Sequence, residues 1–224
     1  MGVANLDRRV TEMIEAGRDR EAAELGARGL LTSATAASNQ PIGGPMDPLS
    51  QLDQLAPLLV GVVGAISADQ LDRPTPCAEF TVRGVLEHMI GGATVFAAAF
   101  RGETPAAPDF SDVLTGFGPT LADLGAAIST PGALDRTIAA PFGEVPGETF
   151  ARFVVLDGLV HGWDLATATG QPYDPPAELV AAVDDFAHHA LDSLRDGTTF
   201  ATAVEPAPEA SPIERLAAYT GRRP

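Results

Sequence analysis

One stretch constrains this chain more than any other: residues 150–170, FARFVVLDGLVHGWDLATATG. Wound on a helix at about 100° per residue, Phe150, Phe153, Val154, Asp157, His161, Leu165 and Ala168 share one narrow stripe. An apolar stripe is the face a helix buries, so this segment has to pack against other elements. Asp157 and His161 stand in its middle, one turn apart. A carboxylate among apolar neighbours is costly unless it is paired or holds an ion. Ligand-type side chains at i and i+4 aim at one point, as the two His of helical zinc motifs do. A third ligand has to come from elsewhere, and the chain has four His: His88, His161, His188 and His189.

The remaining periodicity supplies the partners for that helix. Asp47 is a helix cap with Pro48 at the first helical position, and Leu52, Leu55, Leu59, Val62, Val63 and Ile66 give the first helix its apolar face. Pro57 should bend that helix or mark a late start. A turn containing Pro74 and Pro76 follows. The second helix runs from about Thr81 to Arg101 on a stripe of Val82, Val85, Leu86, Met89, Ala93, Phe96 and Phe100. His88 lies on the flank of this stripe, with Gly84, Gly91 and Gly92 one turn away from it. Each helical Gly costs about 1 kcal/mol relative to Ala, so close helix approach or clearance for a ligand around the imidazole is expected there. A third helix spans about Ser111 to Ile128, with Pro119 interrupting it. Residues 134–148 read as two short extended pieces around a turn. The fourth helix is the 150–170 stretch, ending at Gly170 with Pro172 beyond. A fifth runs from about Pro176 to Arg195, and a short closing helix is capped by Ser211.

The expected fold is all-α: an antiparallel four-helix bundle with a short extended segment between helices three and four and a small C-terminal helix. The domain is expected over residues 46–224. Residues 1–45, with a Ser-, Thr-, Gly- and Pro-rich stretch at 32–47, read as an N-terminal extension, either a docking helix or a disordered leader.

In such a bundle a flank residue of helix two can point at the centre of helix four, so His88 is the third ligand candidate beside Asp157 and His161. Two nitrogens and one oxygen leave a coordination position for water or substrate. The same set matches the facial triad of non-haem iron, so donor identity alone does not choose the metal. The plainer alternative is that His88 is a surface or hydrogen-bonded residue and the trio is a buried polar network. His188 and His189 point about 100° apart and read as ordinary helix residues. Asp164 could orient the His161 ring or hydrogen-bond a loop. Trp163 reads as packing, and Cys77, with no basic partner nearby in sequence, as a small buried residue.

Charge narrows the partners. Lys+Arg is 14 against Asp+Glu 30, every basic residue is Arg, and the net charge is −16. Such a surface repels phosphate backbones and anionic lipid, so neither nucleic acid nor a membrane is an expected partner. A single Cys excludes an internal disulfide and fits a reducing cytoplasm. No apolar run is long enough to span a bilayer, and no secretory signal opens the chain.

The segments TPCAEFTVRGVLEHM, DGLVHGWDLATATGQP and IERLAAYTGRRP together resemble the DinB-like helix-bundle superfamily, and within it the metal-binding branch related to the N-terminal domain of mycothiol-dependent maleylpyruvate isomerase. The resemblance implies a divalent-metal site formed by His88, Asp157 and His161, with zinc the first choice and nickel or iron the others. It also implies mycothiol or a similar low-molecular-weight thiol as co-substrate, used on a small electrophile in an S-transferase or isomerase-like reaction; a homodimer is compatible with this. The isomerase carries Glu where this chain has Asp157. It also has a further C-terminal domain that nothing here is long enough to replace, so maleylpyruvate isomerisation itself is not carried over. The alternative function is a non-catalytic metal-binding module for ligand binding or sensing.

Overall fold

The computed structural model describes residues 46–78, 80–140, 143–195 and 201–223. The extension expected over residues 1–45 lies outside them. Six α-helices and one two-stranded sheet make up the described residues: α1 (Pro48–Gly64), α2 (Val82–Arg101), α3 (Val113–Ile128), β1 (Thr137–Ala140), β2 (Gly143–Pro146), α4 (Gly147–Thr169), α5 (Ala177–Ala190) and α6 (Pro212–Tyr219).

Local chemistry sets most boundaries. The Asp47 carboxylate accepts from the amides of Leu49 and Ser50, closing the start of α1. Thr81 caps α2 and Asp112 caps α3. Ser211 and Glu214 form a reciprocal capping box on α6. Gly102 and Gly170 end α2 and α4 with φ of 72°, a left-handed cap conformation that a side chain would strain.

Three expectations are corrected. Pro119 lies inside a continuous α3 and does not interrupt it, and α1 starts at Pro48, so Pro57 marks no late start. A proline removes one backbone donor; burial of Leu55 and Leu59 in α1, and of Phe117 and Leu124 in α3, holds both helices across the gap. The fifth helix stops at Ala190, and a separate 3-10 turn covers Asp192–Leu194.

α2 packs along α3 and α1 along α4, with further packing of α1 on α3 and of α2 on α4. α5 and α6 lie against one another and against α4. The extended pieces form the expected hairpin, an antiparallel pair in the register Thr137 opposite Pro146 through Ala140 opposite Gly143.

One apolar cluster unites Leu55, Leu59, Val85, Leu86, Leu159 and Leu216, drawing on α1, α2, α4 and α6. A second, toward the hairpin, holds Phe100, Leu124, Ile128, Ile138, Phe150 and Val154. The seam between α1 and α4 is unusually close. A Cβ on Gly158 would sit 3.0 Å from Leu55 Cδ2, and one on Gly162 would lie 2.8 Å from Leu59 and run into the Tyr173 hydroxyl. No helix is long and apolar enough to cross a membrane among the described residues.

Candidate metal centre

Helix periodicity puts Asp157 and His161 on one face of α4, and α2 brings His88 across to meet them. His88 Nε2 and His161 Nε2 each stand 3.4 Å from Asp157 Oδ1. The imidazole centroids are 4.9 Å apart, with the rings inclined at 63°. Both imidazoles are buried, whereas the Asp157 side chain is 33 % exposed and opens the group to solvent. Asp157 is therefore not the core acid that its stripe position implies. That acid is Asp164, which is 0 % exposed.

Asp164 fixes His161. Its Oδ2 lies 3.0 Å from His161 Nδ1 and accepts from the Arg222 guanidinium at 3.1 Å. Burial works to raise the Asp164 carboxyl, but the Arg222 charge and the His161 contact hold it below its ordinary value. Burial alone would lower the Arg222 guanidinium; Asp164 and Cys77 raise it. An ionised Asp164 makes His161 Nδ1 a donor and turns Nε2 toward the Asp157 carboxylate. Either a proton on Nε2 or a cation held between the two groups satisfies that approach. Burial likewise works against the charged Asp157, and the imidazoles of His161 and His88 hold it well below the ordinary carboxylate range.

The distances allow a hydrogen bond or an ion. A separation of 3.4 Å is long for an N–H···O bond. Donors bound at about 2.0 to 2.1 Å to one tetrahedral ion lie roughly 3.3 to 3.5 Å apart. The ligand atoms of His88, Asp157 and His161 all fall within 4.8 Å of one another, so the trio could hold a metal ion.

A second group, Cys77, His161 and Asp164, is equally compact. Arg222 already fills its charge requirement, with Nη2 on Asp164 and 3.9 Å from Cys77 Sγ. A second cation beside that guanidinium would be repelled.

Cys77 is buried as expected, but it has a basic partner 145 positions away. Neither that partner nor the support Arg222 gives Asp164 is apparent from helical spacing. The one signal was that the TPC and TGRRP stretches stood together with HGWD in the resemblance. The glycines near His88 meet aromatic rings and not another helix. A Cβ on Gly84 would sit 3.0 Å from the Phe80 ring, and that ring stacks on His88 at 5.6 Å. Trp163 is buried in the core. His188 and His189 are exposed on α5, each with Nδ1 on the carbonyl four residues back.

The family model for the mycothiol maleylpyruvate isomerase N-terminal domain matches residues 52–166, which include all three members of the trio. The chain belongs to this family. Two uncharacterized proteins of Mycobacterium tuberculosis, one from strain CDC 1551 / Oshkosh and one from strain ATCC 25618 / H37Rv, are each 36 % identical to it over 183 residues. Each alignment covers 79 % of this chain and 98 % of the relative. No solved structure matches. The isomerase-domain family thus ties the helical fold and the acid–imidazole cluster to a mycothiol-related context.

Proposed function

We propose that this protein is a divalent-metal-dependent enzyme that uses a low-molecular-weight thiol of the mycothiol type on a small electrophile, as an S-transferase or thiol-assisted isomerase. In this reading residues 46–224 form a DinB-like domain with an antiparallel four-helix core. His88, Asp157 and His161 are the metal ligands, zinc is the ion, and the cytoplasm is the setting. The observation that carries it is the pair of 3.4 Å separations converging on Asp157 Oδ1, with both Nε2 atoms turned to the same point. The family match supports the thiol.

A divalent ion held there supplies Lewis acidity that lowers the pKa of a thiol at its open position. The chain's own residues prepare that position. Asp164 holds the His161 tautomer and Arg222 holds Asp164, while the Phe80 ring restricts His88. The partial exposure of Asp157 leaves a way in for a hydrophilic thiol from solvent. In a transfer, the thiol sulfur forms a bond to the electrophilic carbon as the leaving group departs with its electron pair, and the thiol proton passes to solvent.

Zinc titration of the untagged, chelator-treated protein by calorimetry is the primary test, followed by mycothiol consumption against a panel of electrophiles. One equivalent of zinc bound by the wild type and lost in Asp157→Ala is expected, with thiol consumption that stops on chelation. Zinc binding unaffected by Asp157→Ala would overturn the site. Zinc binding with no thiol consumed across the panel would favour the non-catalytic module.

A further inference from the structure

Arg222 reaches Asp164 from beyond the end of α6, so its placement depends on where that helix stops and which way the chain then turns. A Schellman turn sets the direction. The Arg222 amide donates to the Ala217 carbonyl at 3.0 Å and the Gly221 amide to the Ala218 carbonyl at 2.9 Å, with Gly221 at φ 97°. Such a turn fixes Arg222 relative to α6. Whether the guanidinium then meets Asp164 depends on how α6 itself is held.

Tyr219, the last residue of α6, is where the hold is concentrated. Its ring stacks on His188 of α5, with centroids 3.8 Å apart and planes inclined at 13°. The Arg195 guanidinium lies over the same ring, 4.4 Å from its centroid. Groups that close cannot share one face, so the ring is gripped between the two. The Tyr219 hydroxyl donates to Asp192 Oδ1 at 2.7 Å, and its carbonyl accepts from Arg195 Nη2 at 2.8 Å. His188, Asp192 and Arg195 lie on α5 or directly after it, and α5 packs against α4. Ile213, Leu216 and Ala217 already bury the apolar side of α6. Burial of that kind is non-directional and lets a helix of eight residues rock. A stacked ring and two hydrogen bonds at one residue are directional, and they act at the end from which Arg222 departs.

We infer that Tyr219 is a positioning residue of the metal centre: gripped by His188, Arg195 and Asp192, it fixes the end of α6 so that Arg222 meets Asp164 and Asp164 holds the His161 ring. Its effect on metal affinity rests on the metal reading proposed above; its effect on the His161 ring does not.

The test uses the full-length protein, with and without zinc. Nitrogen–proton NMR of the zinc-free protein reports whether His161 Nδ1 carries its proton, the signal being assigned by its absence in His161→Gln. Calorimetry reports zinc affinity. Tyr219→Ala should weaken zinc binding about 10- to 100-fold, the range for a group behind a ligand, and should abolish the single Nδ1-protonated form. Tyr219→Phe keeps the gripped ring and should recover most of that loss. Added to Arg222→Met, Tyr219→Ala should weaken zinc binding no further, because it acts through Arg222. Arg195→Met, expected to act in the same direction, carries the test should Tyr219→Ala not fold. Unfolding stability lost in either variant with zinc affinity and the Nδ1 signal both kept would make Tyr219 a packing residue only and overturn the inference. So would a zinc loss in Tyr219→Ala that adds in full to that of Arg222→Met. A wild type that binds no zinc would overturn the metal reading instead, and the Nδ1 signal would then decide the role of Tyr219 alone.

Discussion

The two sides of α4 meet their neighbours by opposite means. Toward α1 the helix has almost no side chain at the contact: Gly158 and Gly162 let Leu55 and Leu59 come within what would be sub-van-der-Waals reach of a Cβ. Toward α2 and the C-terminal segment it presents Asp157, His161 and Asp164, polar groups that cost energy to enclose. The first side is specified by volume and tolerates any apolar shape that fits. The second is specified by partners, and each group depends on another element for its compensation: His88 on α2, Arg222 beyond α6. A rigid, closely packed seam on one side thus holds still a polar cluster on the other.

The largest expected effect separates the two sides by stability. Arg222→Ala leaves the fully enclosed Asp164 without its cation and should cost about 3 to 5 kcal/mol in urea unfolding. A loss below about 1 kcal/mol would mean that the polar side is not partner-dependent. Next comes His161→Ala, which should lower zinc affinity by at least about 100-fold, since replacing even groups behind a ligand costs 10- to 100-fold; calorimetry reads it. Gly162→Ala should cost about 1 to 3 kcal/mol by overpacking. Because the added methyl meets the Tyr173 hydroxyl, which donates to the Leu159 carbonyl, Tyr173→Phe should cost less in the Gly162→Ala background than in the wild type. Additive costs would show that the seam relaxes elsewhere. The smallest effect lies away from both sides and calibrates them. Asp47→Ala removes the α1 cap and should cost about 1 kcal/mol at neutral pH.

That last cost has a defined pH dependence. The Ser50 hydroxyl and the Ser50 and Leu49 amides hold the Asp47 carboxyl below its ordinary value, against a smaller opposing effect of burial. The folded chain therefore releases this proton at lower pH than the unfolded chain. Its contribution is complete above the unfolded carboxylate range near 3.9 and fades as pH falls through the folded value. Wild type and Asp47→Ala should then converge in stability on acidification, and a gap that widens below pH 4 would contradict the cap.

Much of this could be read before any coordinates. The Asp47 and Ser211 caps are local, since a side chain and the amides it serves are two or three residues apart. The pairing of Asp157 with His161 is local in the same sense, one helical turn. His88 could be nominated because it was one of four imidazoles and the family resemblance pointed to its helix. Other features were not local, and they were misread or missed. A stripe position predicts burial, yet Asp157 lies at an opening because α2 and α4 leave a cleft there. Pro119 predicts a break, yet tertiary burial around Phe117 and Leu124 carries α3 through it.

The amino-acid order by itself determined the caps at Asp47 and Ser211 and the Gly170 stop, and that an acid and an imidazole share one turn of the fourth helix, because those are consequences of neighbours along the backbone. Only the packed molecule decided which acid is sealed away and which arginine serves it. Such properties belong to surfaces brought together from positions as distant as Cys77 and Arg222, and no spacing within one helix encodes a distance between two.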